Sequence, residues 1–204
     1  MCAVRWLIPV ATLLMSCGEP PLVAHPLPPL QAPEASPPAA GRQRGFWRPG
    51  ERMVWNVRFK GLAVGRAELL VGDDFVKSRF RADKLFAQSV DNHDLTTELV
   101  PQSSGAHTIH SAVGWLRAWA EPGAPARSLR VDHLGDAYDV DVASPMVEVD
   151  HGGTLRIEAQ AAPPDDSPIV ISVWLSRDER RAPVRFELSR GVKRVTGTLV
   201  GYEH

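Results

Sequence analysis

Apolar and polar side chains alternate with a period of two along much of residues 46–204, and this pattern restricts the fold more than any other feature. Successive side chains of a β-strand point to opposite faces, so each alternating run predicts a strand with one buried face and one solvated face. Two runs on either side of Gly61 predict a hairpin. Their apolar sides consist of Met53, Trp55, Val57 and Phe59 in the first run and of Ala63, Gly65, Ala67, Leu69 and Val71 in the second.

Further alternating runs begin at Tyr138, Leu155, Ile169 and Val184, and turn signals rich in Gly, Pro and Asp separate them. One segment, residues 111–120, has helical periodicity instead and stops before Pro122, with Ser111 suited to the N-cap position. The apolar face of this predicted helix consists of Ala112, Trp115, Leu116 and Trp119.

Strands with one apolar and one charged face form a sheet that must be covered on one side, by its own curvature or by the helix. The predicted fold class is therefore mostly β, with an antiparallel, strongly curved sheet or partly closed barrel and one short helix. Periodicity alone is equally compatible with a flat sandwich.

The N-terminal residues have the organisation of a lipoprotein signal peptide. After Arg5 comes a run of ten uncharged, mostly apolar residues, shorter than the about 20 that a membrane-spanning helix needs. The run leads into Leu14-Met15-Ser16-Cys17, which resembles the lipobox of exported bacterial lipoproteins. We therefore predict a signal peptide at residues 1–16 and acyl chains, such as palmitate, on Cys17. An ordinary secretory signal that is cleaved elsewhere is the alternative.

Residues 17–45 are predicted to be a tether. Glu19–Ala40 contains eight prolines among its 22 residues, and proline favours an extended polyproline helix that acts as a semi-rigid spacer. A polyproline ligand for a partner is the alternative. Because Gly18 rather than Asp follows the predicted acylated cysteine, the periplasmic face of the outer membrane is the favoured location.

The predicted single β domain, residues 46–204, contains no cysteine, so disulfides and thiolate chemistry are not expected in it. The 23 Lys and Arg residues nearly balance the 24 Asp and Glu residues. Nucleic-acid-binding proteins carry a basic surface, so no nucleic-acid partner is expected. The chain also lacks a glycine-rich phosphate loop followed by Lys and Ser or Thr, and no cofactor is predicted.

Three stretches together resemble the bacterial exported family called domain of unknown function 3108. They are FWRPGERMVWNVRFKGLAVGRAELLV, HSAVGWLRAW and VWLSRDERRAPVRFEL. The family has a Gly-Glu before an aromatic strand in the first stretch, and Trp-Leu-Ser-x-Asp followed by Arg-x-Pro-Val in the last. The resemblance covers nearly all of residues 46–204. It implies a periplasmic or surface-facing β domain and no established reaction.

Five tryptophans are the main candidates for a ligand site. Trp combines a large apolar ring with an N–H that needs a partner, and it often lies at pocket walls and interfaces. If the sheet curves around the helix, we expect these rings to line an apolar cleft for an acyl chain or hydrophobic peptide. Packing inside the core is the alternative. The candidates are Trp47, Trp55, Trp115, Trp119 and Trp174.

Residues 176–181 form a dense charge cluster, in which Arg177, Arg180 and Arg181 are candidates for docking a partner. A solvated hairpin tip is the alternative. No catalytic or metal-binding residue is predicted. Ser111 follows His110 but lacks the Gly-x-Ser-x-Gly elbow, and His107 with His110 supplies fewer than the three or four protein ligands of a zinc site.

The sequence thus predicts a non-enzymatic lipoprotein of the bacterial cell envelope, attached to the membrane by its lipid anchor. Its β domain is expected to bind an apolar, lipid-like ligand or an envelope protein. A structural or assembly role in the envelope and a hydrolase activity are the alternatives.

Overall fold

A computed structural model describes residues 46–87, 92–98, 106–133, 135–149, 153–163 and 167–204. The predicted signal peptide (1–16), Cys17 and the predicted tether (17–45) lie outside the described residues. The described ranges form twelve strands and one helix, α1 (Ile109–Trp119). The strands are β1 (Arg52–Phe59), β2 (Leu62–Val71), β3 (Phe75–Ala82), β4 (His93–Glu98), β5 (His107–Thr108), β6 (Arg127–His133), β7 (Asp136–Val142), β8 (Met146–Glu148), β9 (Thr154–Ala162), β10 (Ile169–Leu175), β11 (Pro183–Arg190) and β12 (Lys193–Glu203).

These strands belong to one sheet that curls into a nearly closed, barrel-like shape. The order across the sheet is β4-β3-β2-β1-β12-β11-β10-β9-β7-β6-β5, and β8 also pairs with β9. Most neighbours are antiparallel, as expected where short turns join consecutive strands. The predicted fold class, a mostly β and largely antiparallel curved sheet with one short helix, is confirmed.

The pairing of β5 with β6 departs from the purely antiparallel prediction. These strands are parallel, with His107 opposite Val131 and Thr108 opposite Asp132. Parallel neighbours need a long crossover connection, and α1 lies in the chain between β5 and β6. The two-residue β5 is too short to show a period in the sequence.

The first hairpin forms where it was predicted. Lys60 and Gly61 both have positive φ, 48° and 84°, as a two-residue hairpin turn requires. The prediction was wrong about Ala63, which is exposed, whereas Val64 is fully buried. The register shifts between Val57 and Arg58, and this bulge exchanges the two faces of β2 close to the turn.

The core lies on the inner face of the curled sheet, and α1 packs against it. The helix contributes Ile109, Ala112, Val113, Leu116 and Trp119 to this contact. The largest fully buried apolar side chains of the strands are Phe80, Met53, Leu155, Ile157 and Leu175. The helix therefore covers part of the concave side of the sheet and creates the space described below.

Helix α1 begins two residues earlier than predicted. Its N-cap is Thr108, whose Oγ1 accepts a hydrogen bond from the Ser111 backbone N–H at 3.2 Å. The prediction of Ser111 as N-cap was therefore wrong, because Thr108 supplies the same hydroxyl one turn earlier. A Cβ at Gly114 would lie 2.6 Å from Trp47 Nε1, so glycine lets the helix lie close to this indole.

Candidate functional site

An apolar cavity with a volume of about 100 Å³ lies between α1 and the inner face of the sheet. Apolar atoms form nearly all of its surface, and it is not fully enclosed. The helix contributes Ile109, His110, Val113 and Leu116. The strand residues that line it are Trp55, Ala67, Glu68, Leu69, Ser78, Arg79, Leu95, Val173, Leu175, Pro183 and Phe186.

Cross-strand pairs build the walls of the cavity. Trp55 on β1 lies opposite Ala67 on β2, and Val173 on β10 lies opposite Phe186 on β11. Residues directly opposite each other in a sheet share a face. The alternation seen in the sequence therefore turns both pairs towards the helix.

Trp55 is held in place by a hydrogen bond and a ring contact. Its Nε1 donates to the backbone oxygen of Pro183 at 2.7 Å, and its ring meets that of Phe186 edge-on with centroids 6.3 Å apart. The only polar atom of the indole is thereby satisfied, so the ring presents an apolar wall.

The charged residues in this wall point away from the cavity. Glu68 and Arg79 are opposite each other on β2 and β3, and they alternate with the inward-facing residues of those strands. Glu68 Oε1 instead accepts a hydrogen bond from Arg52 Nε at 2.5 Å. Arg79 Nε lies 3.4 Å from Asp94 Oδ1. The interior of the cavity consequently has no charged side chain among the described residues.

His110 is the polar side chain that the helix brings to the cavity. Its Nδ1 lies 2.8 Å from Thr97 Oγ1 on β4. Burial lowers the pKa of His110 to about 4, and the nearby His133 adds to this effect. The imidazole is therefore uncharged at neutral pH. A binding role for His110 was not predicted, since a histidine at the start of an apolar helix gives no such signal.

Trp55 alone among the five predicted tryptophans lines this cavity. Trp47 is buried beneath the helix, with the Arg117 guanidinium carbon 4.8 Å from its ring centroid. Trp115 and Trp119 stack on each other with centroids 5.0 Å apart. The structure thus places three of the rings around α1, beside the cavity rather than in its wall.

Trp174 lies on the outer face of β10. It alternates with the wall residue Val173, and its ring lies between the guanidinium groups of Arg156 and Arg185, at 5.4 and 4.5 Å from its centroid. Its Nε1 donates to a carboxylate oxygen of Glu148 on β8. The sheet therefore separates Trp174 from the cavity.

The predicted docking arginines lie at the tip of the β10–β11 hairpin and turn to different neighbours. The Arg180 guanidinium lies 5.2 Å from the ring centroid of Tyr202 on β12. Arg177 reaches towards Gly153, at the start of β9. Arg181 adopts a left-handed backbone conformation with φ of 50°. The Arg177 and Arg180 side chains therefore lie against different neighbours.

Ser111 and its neighbouring histidines form local contacts of the helix. Ser111 Oγ donates to the Thr108 backbone oxygen at 3.1 Å and lies 3.3 Å from His107 Nδ1. His110 pairs with Thr97 instead, so it does not activate Ser111. Among the described residues, no group of three or more His, Cys, Asp or Glu side chains is arranged to hold a metal ion.

A buried ion pair next to the helix was not predicted. Glu51 is fully buried, and Arg117 donates to both of its carboxylate oxygens, at 2.8 and 2.6 Å. Tyr202 Oη donates to the same carboxylate at 2.7 Å. Arg117 also donates to the Arg180 backbone oxygen at 2.6 Å. The pair therefore fastens α1 to the start of β1, to β12 and to the β10–β11 hairpin.

Two sequence features could have indicated this pair. Arg117 interrupts the apolar helix segment, and Glu51 belongs to the Gly-Glu of the first stretch quoted for the family resemblance. A buried charge needs a partner of opposite charge. Burial and the hydrogen bond to Glu51 raise the pKa of Tyr202 to about 12.

No family model matches this chain, and no curated protein or solved structure matches it. Among the described residues, no helix has the length and apolar character needed to span a membrane.

Proposed function

We propose that this chain is an exported, membrane-anchored lipoprotein of the bacterial cell envelope whose β domain binds an apolar, lipid-like ligand. The observation that carries the binding proposal is the apolar cavity between α1 and the sheet. Ligand sites are typically apolar, concave and provided with few polar groups. The signal peptide, the lipobox-like sequence at Cys17 and the proline-rich tether support the envelope location. The family resemblance agrees with it.

The volume of the cavity limits what it can hold. Typical small-molecule sites measure roughly 300–1,000 Å³, whereas an apolar cavity of about 150 Å³ suffices for benzene. At about 100 Å³, the space fits a short apolar group, such as the end of an acyl chain. A longer chain would extend through the open side.

A chain-length series tests this site. Each buried methylene contributes about 0.8 kcal/mol, so affinity should rise about fourfold per methylene along butanol, pentanol and hexanol. Calorimetric titration of the purified chain measures the series. An affinity that does not depend on chain length contradicts the binding proposal.

A matched pair of variants on β10 locates the binding. Val173 lines the cavity, whereas Val170, on the opposite face of the same strand, is 43% exposed. Val173→Phe fills the space and should weaken binding of cis-parinaric acid, which fluoresces in apolar surroundings, by at least about tenfold. Val170→Phe should bind like the wild type. Partitioning of the probe into residual lipid would be the same for both variants. Equal affinities of Val173→Phe and Val170→Phe would therefore contradict the proposal that the probe binds in the cavity.

Acylation at Cys17 has its own test. Cells that express the wild-type chain should incorporate radioactive palmitate into the protein, and the protein should sediment with membranes. Cys17→Ala should lose the label and the membrane association, because each methylene of an acyl chain buried in the membrane contributes about 0.8 kcal/mol and the variant carries no acyl chain. An unlabelled wild-type protein would contradict acylation at Cys17. The proposal that the cavity binds a ligand would not be affected by that result.

A further inference from the structure

Three neighbouring connections at one end of the sheet each expose a large apolar side chain. The β1–β2 turn is followed by Leu62, the β3–β4 connection contains Leu85, and the β11–β12 turn contains Val192. These side chains, which we call the tip cluster, are 63%, 91% and 54% exposed, respectively. Grouped apolar side chains on a surface mark contacts with proteins or membranes, whereas isolated ones are ordinary.

Backbone hydrogen bonds hold the three connections side by side. Lys60 N donates to the Arg194 backbone oxygen at 3.0 Å, which joins the β1–β2 turn to the start of β12. Asp83 N donates to the Val64 backbone oxygen at 2.9 Å, which joins the β3–β4 connection to β2. Strands β3, β2, β1, β12 and β11 are consecutive in the sheet. Because neighbouring strands lie about 4.8 Å apart, the tip cluster spans roughly 20 Å.

A lysine accompanies each member of the tip cluster in the sequence. Lys84 directly precedes Leu85, Lys193 directly follows Val192, and Lys60 lies two residues before Leu62. Among the described residues, no carboxylate forms an ion pair with any of these three lysines. Their charges are therefore available to an anionic partner that contacts the tip cluster.

Positive charge is concentrated around these lysines. Residues 58–62, 81–92 and 189–194 together contain seven Lys and Arg residues but two Asp residues, although the whole chain has 23 basic and 24 acidic residues. Two of the arginines pair with carboxylates of neighbouring strands, one with Asp94 at 2.8 Å and the other with Glu187 at 3.0 Å. The rest leave a local excess of positive charge around an apolar centre.

Acidic connections limit the extent of this basic region. The β2–β3 connection, at the opposite end of the sheet, contains Asp73 and Asp74, which are both exposed. The β9–β10 connection follows the β11–β12 turn at the same end. Its sequence includes Asp165 and Asp166, which lie outside the described residues. An anionic partner is therefore attracted to the three connections of the tip cluster rather than to the whole rim of the sheet.

We propose that the tip cluster docks the domain on a bilayer surface with anionic headgroups. Leu62, Leu85 and Val192 insert at the boundary between headgroups and acyl chains, and the three lysines lie against lipid phosphates. Apolar side chains with cationic neighbours are the combination that binds anionic membrane surfaces. This contact involves neither an acylated Cys17 nor the cavity, so the inference goes beyond the proposed function.

The predicted tether is long enough to allow this orientation. It precedes the start of β1, whereas the tip cluster lies at the other end of that strand. The eight residues of β1 span roughly 26 Å at about 3.3 Å each. Residues 17–45 in polyproline geometry would extend roughly 90 Å at about 3.1 Å each. The tip cluster can therefore face the same membrane that an acylated Cys17 enters.

A fluorophore at position 85 tests the insertion. In the whole chain with Cys2→Ala and Cys17→Ala, Leu85→Cys supplies the single thiol, to which a polarity-sensitive nitrobenzoxadiazole label is attached. Vesicles of equal parts phosphatidylglycerol and phosphatidylcholine should shift its emission to shorter wavelength, and lipids with a nitroxide on the acyl chain should quench it. Leu70→Cys is the matched control, because Leu70 is 40% exposed near the acidic end of β2, and its label should respond as in buffer.

Lipid titrations of the chain labelled at position 85 measure the contributions of the neighbouring side chains. Lys60→Asn should raise the lipid concentration at half-maximal response about fivefold, and Lys193→Gln should raise it about fivefold again. Asn-Gly is a preferred sequence for this type of turn, so Lys60→Asn keeps the hairpin. Leu62→Gln should raise the same concentration at least about tenfold. Lys77→Gln, opposite Leu70 in the sheet, is the charge control and should leave it unchanged.

Each of four results would overturn the inference. The labels at positions 85 and 70 respond equally, vesicles of phosphatidylcholine alone give the same response as the anionic vesicles, or Lys60→Asn leaves the titration unchanged. The fourth is an emission shift that appears without vesicles as the protein concentration rises, which would assign the tip cluster to a second copy of the chain. The tests of the cavity and of acylation at Cys17 are separate, so their failure is distinguishable from this one.

Discussion

Removing the Glu51 carboxylate should destabilise the domain more than most single substitutions. Glu51 is fully buried and accepts two hydrogen bonds from Arg117 and one from Tyr202. Glu51→Leu leaves the Arg117 guanidinium, with 2% of its side chain exposed, facing no opposite charge. The remaining neighbours of this cation are the Arg180 backbone oxygen and the Trp47 ring.

The expected cost follows from this burial. Breaking a buried ion pair by removing one partner costs about 3–5 kcal/mol, whereas replacing both partners with apolar residues of similar volume is often close to neutral. We therefore expect Glu51→Leu and Arg117→Met each to lower the free energy of unfolding by about 3–5 kcal/mol. The double variant should lose clearly less than the sum of the two. Tyr202→Phe removes one hydrogen bond to a charged acceptor and should cost about 1.5–3 kcal/mol.

Urea unfolding followed by tryptophan fluorescence measures these changes, because five tryptophans lie within residues 46–204. The free energies are comparable if the dependence of unfolding on urea stays constant between variants. Two results would refute the reasoning. One is a Glu51→Leu variant that loses less than about 1 kcal/mol, and the other is a double variant whose loss equals the sum of the single losses.

Two further predictions concern α1. In the folded chain the pKa of His110 is about 4, below the ordinary value of 6.5, so the unfolded chain takes up a proton at a higher pH than the folded chain does. The neutral, buried His110 therefore contributes fully to stability above about pH 6.5. This contribution, up to about 3 kcal/mol, is lost as the pH falls towards 4. His110→Gln should remove this part of the pH dependence, and parallel stability curves of wild type and variant between pH 7 and 4 would contradict it. Gly114→Ala should destabilise by about 1–3 kcal/mol because its Cβ would lie 2.6 Å from Trp47 Nε1, although alanine is the better helix former by about 1 kcal/mol. Gly201→Ala, whose Cβ would meet Val54 at an ordinary 3.6 Å, is the control and should change the unfolding free energy by less than about 0.5 kcal/mol in the same urea unfolding assay.

Local periodicity was sufficient to predict most of the fold. Met53, Trp55 and Val57 alternate in the sequence and are buried in the structure, because the period of a strand depends only on its own backbone. The bulge that exposes Ala63 and buries Val64 depends on the register with β1. Such a register is a property of two strands, and the sequence of β2 alone does not contain it.

The prediction that five tryptophans line one apolar cleft was less successful for a related reason. Trp55 and Trp174 are both aromatic and both buried, yet they lie on opposite faces of the sheet. The apolar series Ile169, Ile171, Val173 already indicated that Trp174 points the other way. The cavity itself depends on how residues from six strands and a helix fail to fill the space between them, and no pattern within one segment encodes such a gap.

Strand β12 lies between β1 and β11, although it is made after every other described strand. Its pairing with β1 joins residues as far apart as Arg52 and Glu203, so the part of the sheet from β4 to β1 and the part from β11 to β5 stay unconnected until β12 has been synthesised. Ordering so distant a contact is slow. A newly made chain should consequently remain unassembled until β12 has been synthesised, and a stop codon before Lys193 would leave one edge of β1 and one edge of β11 without a partner strand.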